Sequence, residues 1–295
     1  MAGSGIGSEF ELIGRLTRRL PLGVDVLVGP GDDCAVMRYR RNEYLLWTTD
    51  LLFEGVHFTR ETPPESIGWK ALAVSISDIA AMAGRPHYCL VFVGLPAGRT
   101  GAYASAIYRG LNRLARRYRV QVVGGDTNAF PRLVIGTTVL GTVEKSYLTR
   151  RSGARPGDLI CVSGPLGRGP KSHLSFLPRV SEARRIRREL KATAMIDISD
   201  GMLGDFTRIS EESRVGGIIR LEEIPVVPGT APGEALVSGE EFELLFTIPA
   251  SQAGAARRSG CFVVGEVLPA GRGVRVTANG RPYRPRHPGY DHFRK

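Results

Sequence analysis

SIGWKALAVSISDIAAMA, residues 66–83, is the stretch on which the fold turns. It is long, Ala-rich and apolar around most of a helical wheel, which predicts a helix buried on nearly every side rather than one lying on a surface. Asp78 stands inside it, with Val74 one turn before and Met82 one turn after. A carboxylate in such surroundings is costly unless a cation or a paired arginine compensates it. Outward from this helix, LLWTTD (45–50) reads as a buried strand that ends in polar residues, and LVFVG (90–94) as another. Tyr103, Ile107, Leu111, Leu114 and Tyr118 form the apolar stripe of a second helix. Val120–Val123 is a short β-branched run stopped by Gly124-Gly125, and Leu133–Val143 a longer strand. Phe10, Ile13, Leu16 and Leu20 repeat at helical spacing near the start. SGARPGD (152–158) breaks every periodicity; beyond it a strand (159–163), an Arg-rich helix and a mixed segment follow. Strands and helices mix in both halves, so the class is α/β (α+β), with two domains expected at 1–148 and 149–295.

Composition removes several alternatives. The 295 residues are 42% hydrophobic and 23% charged, enough for packed cores and too apolar for wholesale disorder. No apolar run approaches the roughly 20 residues that span a bilayer, and residues 1–10 lack the basic and apolar regions of a secretory signal. Cys34, Cys89, Cys161 and Cys261 are far apart with no C-x-x-C pair, which argues against a zinc site and for reduced, buried thiols. A cytoplasmic protein without membrane contact is the expectation. The net charge of +11 raises nucleic-acid binding as a rival, but the arginines are scattered and no basic-aromatic module accompanies them. The cluster Arg179, Arg184, Arg185, Arg187, Arg188 reads as a solvated charged helix.

The acidic residues are more informative. Only eleven Asp occur, and six of the motifs that carry them follow glycines or close apolar runs: Asp32-Asp33 after Gly31, Asp50 at a strand end, Asp78, Asp126 after Gly124-Gly125, Asp197 and Asp200. Singly each suits a turn or a cap. Together, several carboxylates converging from strand ends suit Mg²⁺ shared with a polyphosphate, because magnesium takes a few carboxylates plus phosphate oxygens. There is no G-x-S-x-G and no H-E-x-x-H. GPLGRGPKS (164–172) nearly spells a P-loop, but Pro170 displaces the lysine and removes a backbone donor.

Eight motifs in order carry a resemblance: GDDCA (31–35), TTD with EGVHF (48–50, 54–58), KALAVSISDIAAM (70–82), GGDT (124–127), LTRRSGARPGD (148–158), DISDGM (197–202), GEEFELLF (239–246) and GYDHF (289–293). The set resembles the thiamine-monophosphate kinase family of the AIR-synthase-like ATP-binding superfamily, over nearly the whole chain. The resemblance implies ATP- and Mg²⁺-dependent phosphorylation of thiamine monophosphate to thiamine diphosphate, by direct in-line transfer. It implies a two-domain fold whose N-terminal mixed-sheet domains pair into a homodimer. Carried over by position, it implies Mg²⁺ ligands at Asp33, Thr48, Thr49, Asp50, Asp78, Asp126, Asp197 and Asp200. ATP contacts fall at Tyr108, Gly125, Asp126, Arg151 and Ser199, and contacts to thiamine monophosphate at His57, Glu240 and Tyr290. Three departures stand out. GEEF replaces the family's usual GEDY, Arg150 and Arg151 offer two choices for one ATP contact, and residues 164–194 are fewer than usual. Within the superfamily, AIR synthase and a selenophosphate-synthetase-like enzyme are the alternatives; the EGVHF and GYDHF segments favour the thiamine enzyme.

Overall fold

Burial alternates along residues 43–53: Leu46, Thr48 and Leu52 are buried, while Trp47, Thr49, Leu51 and Phe53 are exposed. That period of two marks a strand with one covered face. The computed structural model describes residues 8–99, 101–169 and 172–293; Pro170 and Lys171 of the near P-loop lie outside them. A six-stranded mixed sheet is built from β1 (Val26–Val28), β2 (Ala35–Arg40), β3 (Glu43–Phe53), β4 (Arg85–Leu95), β5 (Gln121–Ala129) and β6 (Val134–Glu144), in the order β1-β2-β3-β6-β4-β5. Its helices are α1 (Glu9–Thr17), α2 (Pro64–Ala81) and α3 (Gly101–Tyr118). The second sheet has seven strands: β7 (Leu159–Val162), β8 (Ala194–Asp197), β9 (Val215–Arg220), β10 (Leu244–Ile248), β11 (Phe262–Pro269), β12 (Val274–Ala278) and β13 (Arg281–Tyr283). They run β13-β12-β9-β11-β7-β10-β8, accompanied by α4 (Val180–Arg185), α5 (Met202–Ser213), α6 (Pro232–Ala235) and α7 (Ala253–Arg258).

The helix α2 is central. One side lies on β3 and β6, another meets α3, and a third touches α4 and β8. Nearly every residue from Ile67 to Ala81 is buried for that reason, and each large apolar side chain so covered stabilises the fold by about 1.5–3 kcal/mol. The α2–α3 crossing is closed by glycines. A Cβ on Gly68 would stand 1.9 Å from the Ile107 carbonyl oxygen, and one on Gly110 would stand 1.8 Å from that of Glu65.

Three local readings change. The strand after Val120 does not stop at Gly124-Gly125: β5 runs through both to Ala129, pairing parallel to β4. A Cβ on Gly125 would meet the Val91 carbonyl oxygen at 1.9 Å, so the glycines permit the pairing instead of ending it. The strand read at 45–50 continues to Phe53 and is covered on one face only. The Arg-rich helix is not simply solvated. Arg184 forks onto the Glu144 carboxylate at 2.8 and 2.9 Å and donates to the Ala83 carbonyl at 2.9 Å, while Arg179 pairs with the buried Glu243. Arg184 thus ties the first sheet and the end of α2 to α4. All four cysteines are free and buried, and among the described residues no helix is long and apolar enough to cross a membrane.

Candidate functional site

The inner face of β3 meets one side of α2 at an all-oxygen cluster. Asp33, Asp78 and Asp197, from the turn before β2, from α2 and from the end of β8, each offer a carboxylate oxygen within 4.8 Å of the others. Hydroxyls aim them. Thr48 Oγ1 donates to Asp78 Oδ2 at 2.5 Å, Ser77 Oγ to Asp197 Oδ2 at 2.5 Å, and Ser75 Oγ to Asp50 Oδ2 at 2.7 Å. Arg151 Nη2 donates to Asp33 Oδ1 at 2.7 Å, and the Arg151 backbone N–H to both Asp32 oxygens at 3.2 and 3.3 Å. Asp33 Oδ2 is buried without a hydrogen-bond partner.

Burial and mutual repulsion raise every acid here. Desolvation is the largest cause throughout, and it pushes Asp197 up to about 7, with Asp33 adding to it. Asp78 goes well above the ordinary carboxylate range, driven further by Asp50, Asp197 and Asp33. Asp50 and Asp33 rise as well, although Arg151 pulls Asp33 back. Such a set resists ionisation until a cation joins it. Its donors are hard oxygens, and one of them, Asp33 Oδ2, is buried with no hydrogen-bond partner. The residues therefore fit Mg²⁺.

Asp200 stands apart, beyond the end of β8. Asp205 in the first turn of α5 accepts the N–H groups of Asp200 and Gly201, both at 3.2 Å, and the Tyr290 N–H donates to the Asp200 carbonyl at 2.8 Å. Burial raises Asp200 to about 6, with Glu9 adding to the shift. The carbonyl of Ser199 accepts the Glu240 N–H at 2.7 Å, so the strand end holding Asp197 also carries the Glu240 turn.

The outer face of the same sheet holds other expected residues. Thr49 points there and shares a 3.0 Å hydrogen bond with Thr138. Asp126 pairs with Phe92 in the β4–β5 ladder, and paired residues share a face; Phe92 is exposed between buried Val91 and Val93. The register Asp50–Thr137–Val91–Gly125 puts Gly125 three strands from Asp50, about 14 Å at the usual spacing. Tyr108, half-buried on α3, packs against the core below β4. Thr49, Gly125, Asp126 and Tyr108 thus lie away from the Asp33–Asp78–Asp197 cluster within one chain. Around Asp126 the outer face is apolar, with Trp47, Leu51, Phe53, Tyr88, Leu90 and Phe92 each 39–49% exposed.

The three residues expected at the acceptor do converge. The His57 and His292 rings lie 5.3 Å apart and the Tyr290 and His292 rings 4.9 Å, edge to face. Lys70, fully buried on α2, donates to the His57 carbonyl at 2.8 Å and pairs with Glu240. Burial holds His57 down at about 4, with Lys70 adding to the effect, so His57 is neutral at physiological pH. Its Nδ1 accepts the Phe53 N–H at 3.0 Å. Lys70, Ser75, Ser77, Asp205, His173 and His292 are not singled out by the sequence, and Asp32 is noted there without a role. The signal for the first three is their polarity in the otherwise apolar helix 66–83, with Lys70 and Ser77 seven residues apart on one side and Ser75 on another. The others act through tertiary neighbours that no local pattern announces.

The sheet-and-helix unit that carries the acid cluster, residues 31–143, matches the family model "AIR synthase related protein, N-terminal domain", which places it in the AIR-synthase-like class. The thiamine-monophosphate kinase of Bacillus subtilis (strain 168) is 35% identical over 272 residues, covering 81% of this chain and 83% of that one. That of Escherichia coli (strain K12) is 32% identical and covers 97% and 98%. Among solved structures, AaThiL complexed with AMPPCP and TMP superposes with a TM-score of 0.84 at 30% identity, covering 97% of each chain. The chain belongs to the thiamine-monophosphate kinase family.

Proposed function

We propose that this chain transfers the γ-phosphoryl group of ATP to the phosphate of thiamine monophosphate, giving thiamine diphosphate and ADP. The observation that carries the reading is the Asp33–Asp78–Asp197 cluster, three buried carboxylates within 4.8 Å of one another whose charge needs a cation. The superposed AaThiL, recorded with AMPPCP and TMP, supports the choice of ligands. Asp33, Asp50, Asp78 and Asp197, with Thr48, would hold Mg²⁺, and Asp200 a further ion. Bound there, Mg²⁺ supplies charge neutralisation to phosphate oxygens that must otherwise repel.

The chain's own groups do the rest. An acceptor phosphate oxygen is already ionised, so no side chain need remove a proton, and neutral His57 serves in positioning rather than as a base. The bond from that oxygen to the γ-phosphorus forms as the bond to the ADP oxygen breaks, which demands alignment more than covalent help. Arg151, anchored by Asp32 and Asp33, brings fixed positive charge beside the phosphates, and Ser199 borders the nucleotide. Glu240 and Tyr290 hold the organic part of the acceptor.

Residues 1–148 and 149–295 act as two functional units that meet at this cleft. The apolar outer face of the first is where a second copy packs. That contact covers Trp47, Leu51 and Phe92 and gives Thr49, Gly125 and Asp126 a place in a nucleotide site that one chain leaves incomplete. The four free thiols suit the reducing cytoplasm. The test is purified protein with ATP, Mg²⁺ and thiamine monophosphate, the thiamine phosphates then being separated by chromatography. Equimolar thiamine diphosphate and ADP, abolished by EDTA and by Asp78→Asn in a protein of unchanged circular dichroism, is the expected result. Undiminished turnover in folded Asp78→Asn would overturn the metal assignment.

A further inference from the structure

Lys70 is the largest fully buried side chain among the described residues, and it is charged. An ammonium taken out of water is destabilising unless all three of its protons find acceptors. Here three acceptors surround it: the His57 carbonyl at 2.8 Å, His173 Nδ1 at 2.6 Å, and Glu240 Oε1. They come from three segments distant in sequence, namely the loop after β3, the turn at 172–174 and the turn at 239–242.

Glu240 is the partner with a face to solvent. Its side chain is 35% exposed, and it borders a cleft of about 320 Å³ with His173, Ser238 and Gly239. One carboxylate oxygen is taken by Lys70; the other lies 3.1 Å from His173 Nδ1, which already accepts from Lys70 and does not donate to it, so the ion pair with Lys70 is what orients the group. The backbone beneath is strained, with φ +60° at Glu240 and +52° at Phe242. It is held by the Glu240 and Phe242 N–H groups donating to the Ser199 and Ile198 carbonyls at 2.7 and 2.8 Å. A non-glycine residue keeps such a conformation only where its surroundings over-determine it.

Lys70 and Ser77 stand seven residues apart, two turns along the same side of α2, which separates them by about 10 Å on the helix axis. Ser77 aims Asp197 in the acid cluster. One rigid helix therefore sets both ends of an extended site, with the phosphate end at Ser77 and the organic end at Lys70.

We propose that Lys70 is a positioning residue of the acceptor site, whose buried ammonium orients the Glu240 carboxylate toward the organic, cationic ring system of the acceptor. The proposal rests on the acceptor being thiamine monophosphate. Removing the charge frees Glu240 to rotate and weakens acceptor binding while the nucleotide and metal sites, two turns away, keep their geometry.

The experiment compares wild type with Lys70→Met, which keeps the length of the side chain. Thiamine monophosphate KM is expected to rise about 10-fold or more, with ATP KM and kcat within about twofold and the Mg²⁺-induced melting shift unchanged. A double-mutant cycle adds Glu240→Gln: if Lys70 acts through Glu240, the pair together weakens acceptor binding no more than Glu240→Gln alone. Parallel losses for both substrates, or additive losses in the cycle, would show a role in the fold only. Should Lys70→Met melt below the assay temperature, Lys70→Gln carries the same comparison. Calorimetry on wild type separates the two levels. Binding of thiamine monophosphate that Lys70→Met leaves intact refutes the positioning role alone; no binding by wild type refutes the acceptor reading and the role together.

Discussion

Asp197→Asn should make the metal-free protein more stable and the metal response weaker. Asp197 is 3% exposed, forms no ion pair among the described residues, and is raised from 3.8 to about 7, first by burial and then by Asp33. A folded-state value above the unfolded one burdens the native state at every pH above about 4. The burden grows as pH rises through that interval and levels off beyond about 7. About three units at 1.36 kcal/mol each amount to a cost of about 4 kcal/mol at neutral pH. The amide keeps an oxygen for the Ser77 hydroxyl and sheds the charge. Even if its neighbours take back half of the relief, about 2 kcal/mol remains, worth roughly 4–8 °C in a chain of 150–250 residues and a little less in a longer one. The assay is thermal unfolding in EDTA between pH 4 and pH 8, with and without Mg²⁺. Wild type should lose stability as pH rises from 4 to 7 and recover it on adding Mg²⁺; Asp197→Asn should show less of both. A variant that melts below wild type in EDTA at pH 7.5, or that gains as much from Mg²⁺, would refute the account of the cluster as carboxylates waiting for a cation.

Tyr290→Ala should weaken thiamine monophosphate binding in calorimetry at least about tenfold and leave ATP binding within about twofold, since an aromatic of this size contributes on the order of 1–2 kcal/mol at a contact; equal losses would assign Tyr290 to packing. Phe92→Glu, on the outer face, should give a monomer in sedimentation with intact circular dichroism and little activity, and a fully active monomer would dismiss the second copy. Gly110→Ala should destabilise by about 3 kcal/mol or more in urea unfolding, because its Cβ would stand 1.8 Å from the Glu65 carbonyl oxygen; an unaffected midpoint would mean that α3 can move away from α2 freely.

Much of this was legible beforehand where one element carries its own pattern. The apolar wheel of 66–83 marked α2, and the polar ends of LLWTTD and DISD marked where carboxylates gather. Asp33, Asp78 and Asp197 meet as their placement implied. What local pattern cannot convey is which face a residue takes once a strand is longer than read. Thr48 and Thr49 are adjacent, yet one faces α2 and the other the opposite side. The bulge between Cys89 and Leu90 sets the partner of Asp126, and that register exists only after β4 and β5 pair. Arg184 reads as solvent-facing in the sequence because its acceptor, Glu144, is 40 residues away. Lys70 is visible as a polar residue in an apolar helix, but its role is not, because its three acceptors are scattered from His57 to Glu240.

The alternation along β3 bears on how the protein behaves when diluted. Consecutive residues face opposite sides of a single layer, and within one chain the outer side is left exposed. If the outer one is finished by another molecule, catalytic output per chain depends on how many chains are present. Specific activity would then fall at low enzyme concentration and recover on crowding the solution with more of the same protein, including a copy crippled at Asp78, which could lend its outer face while contributing no turnover of its own.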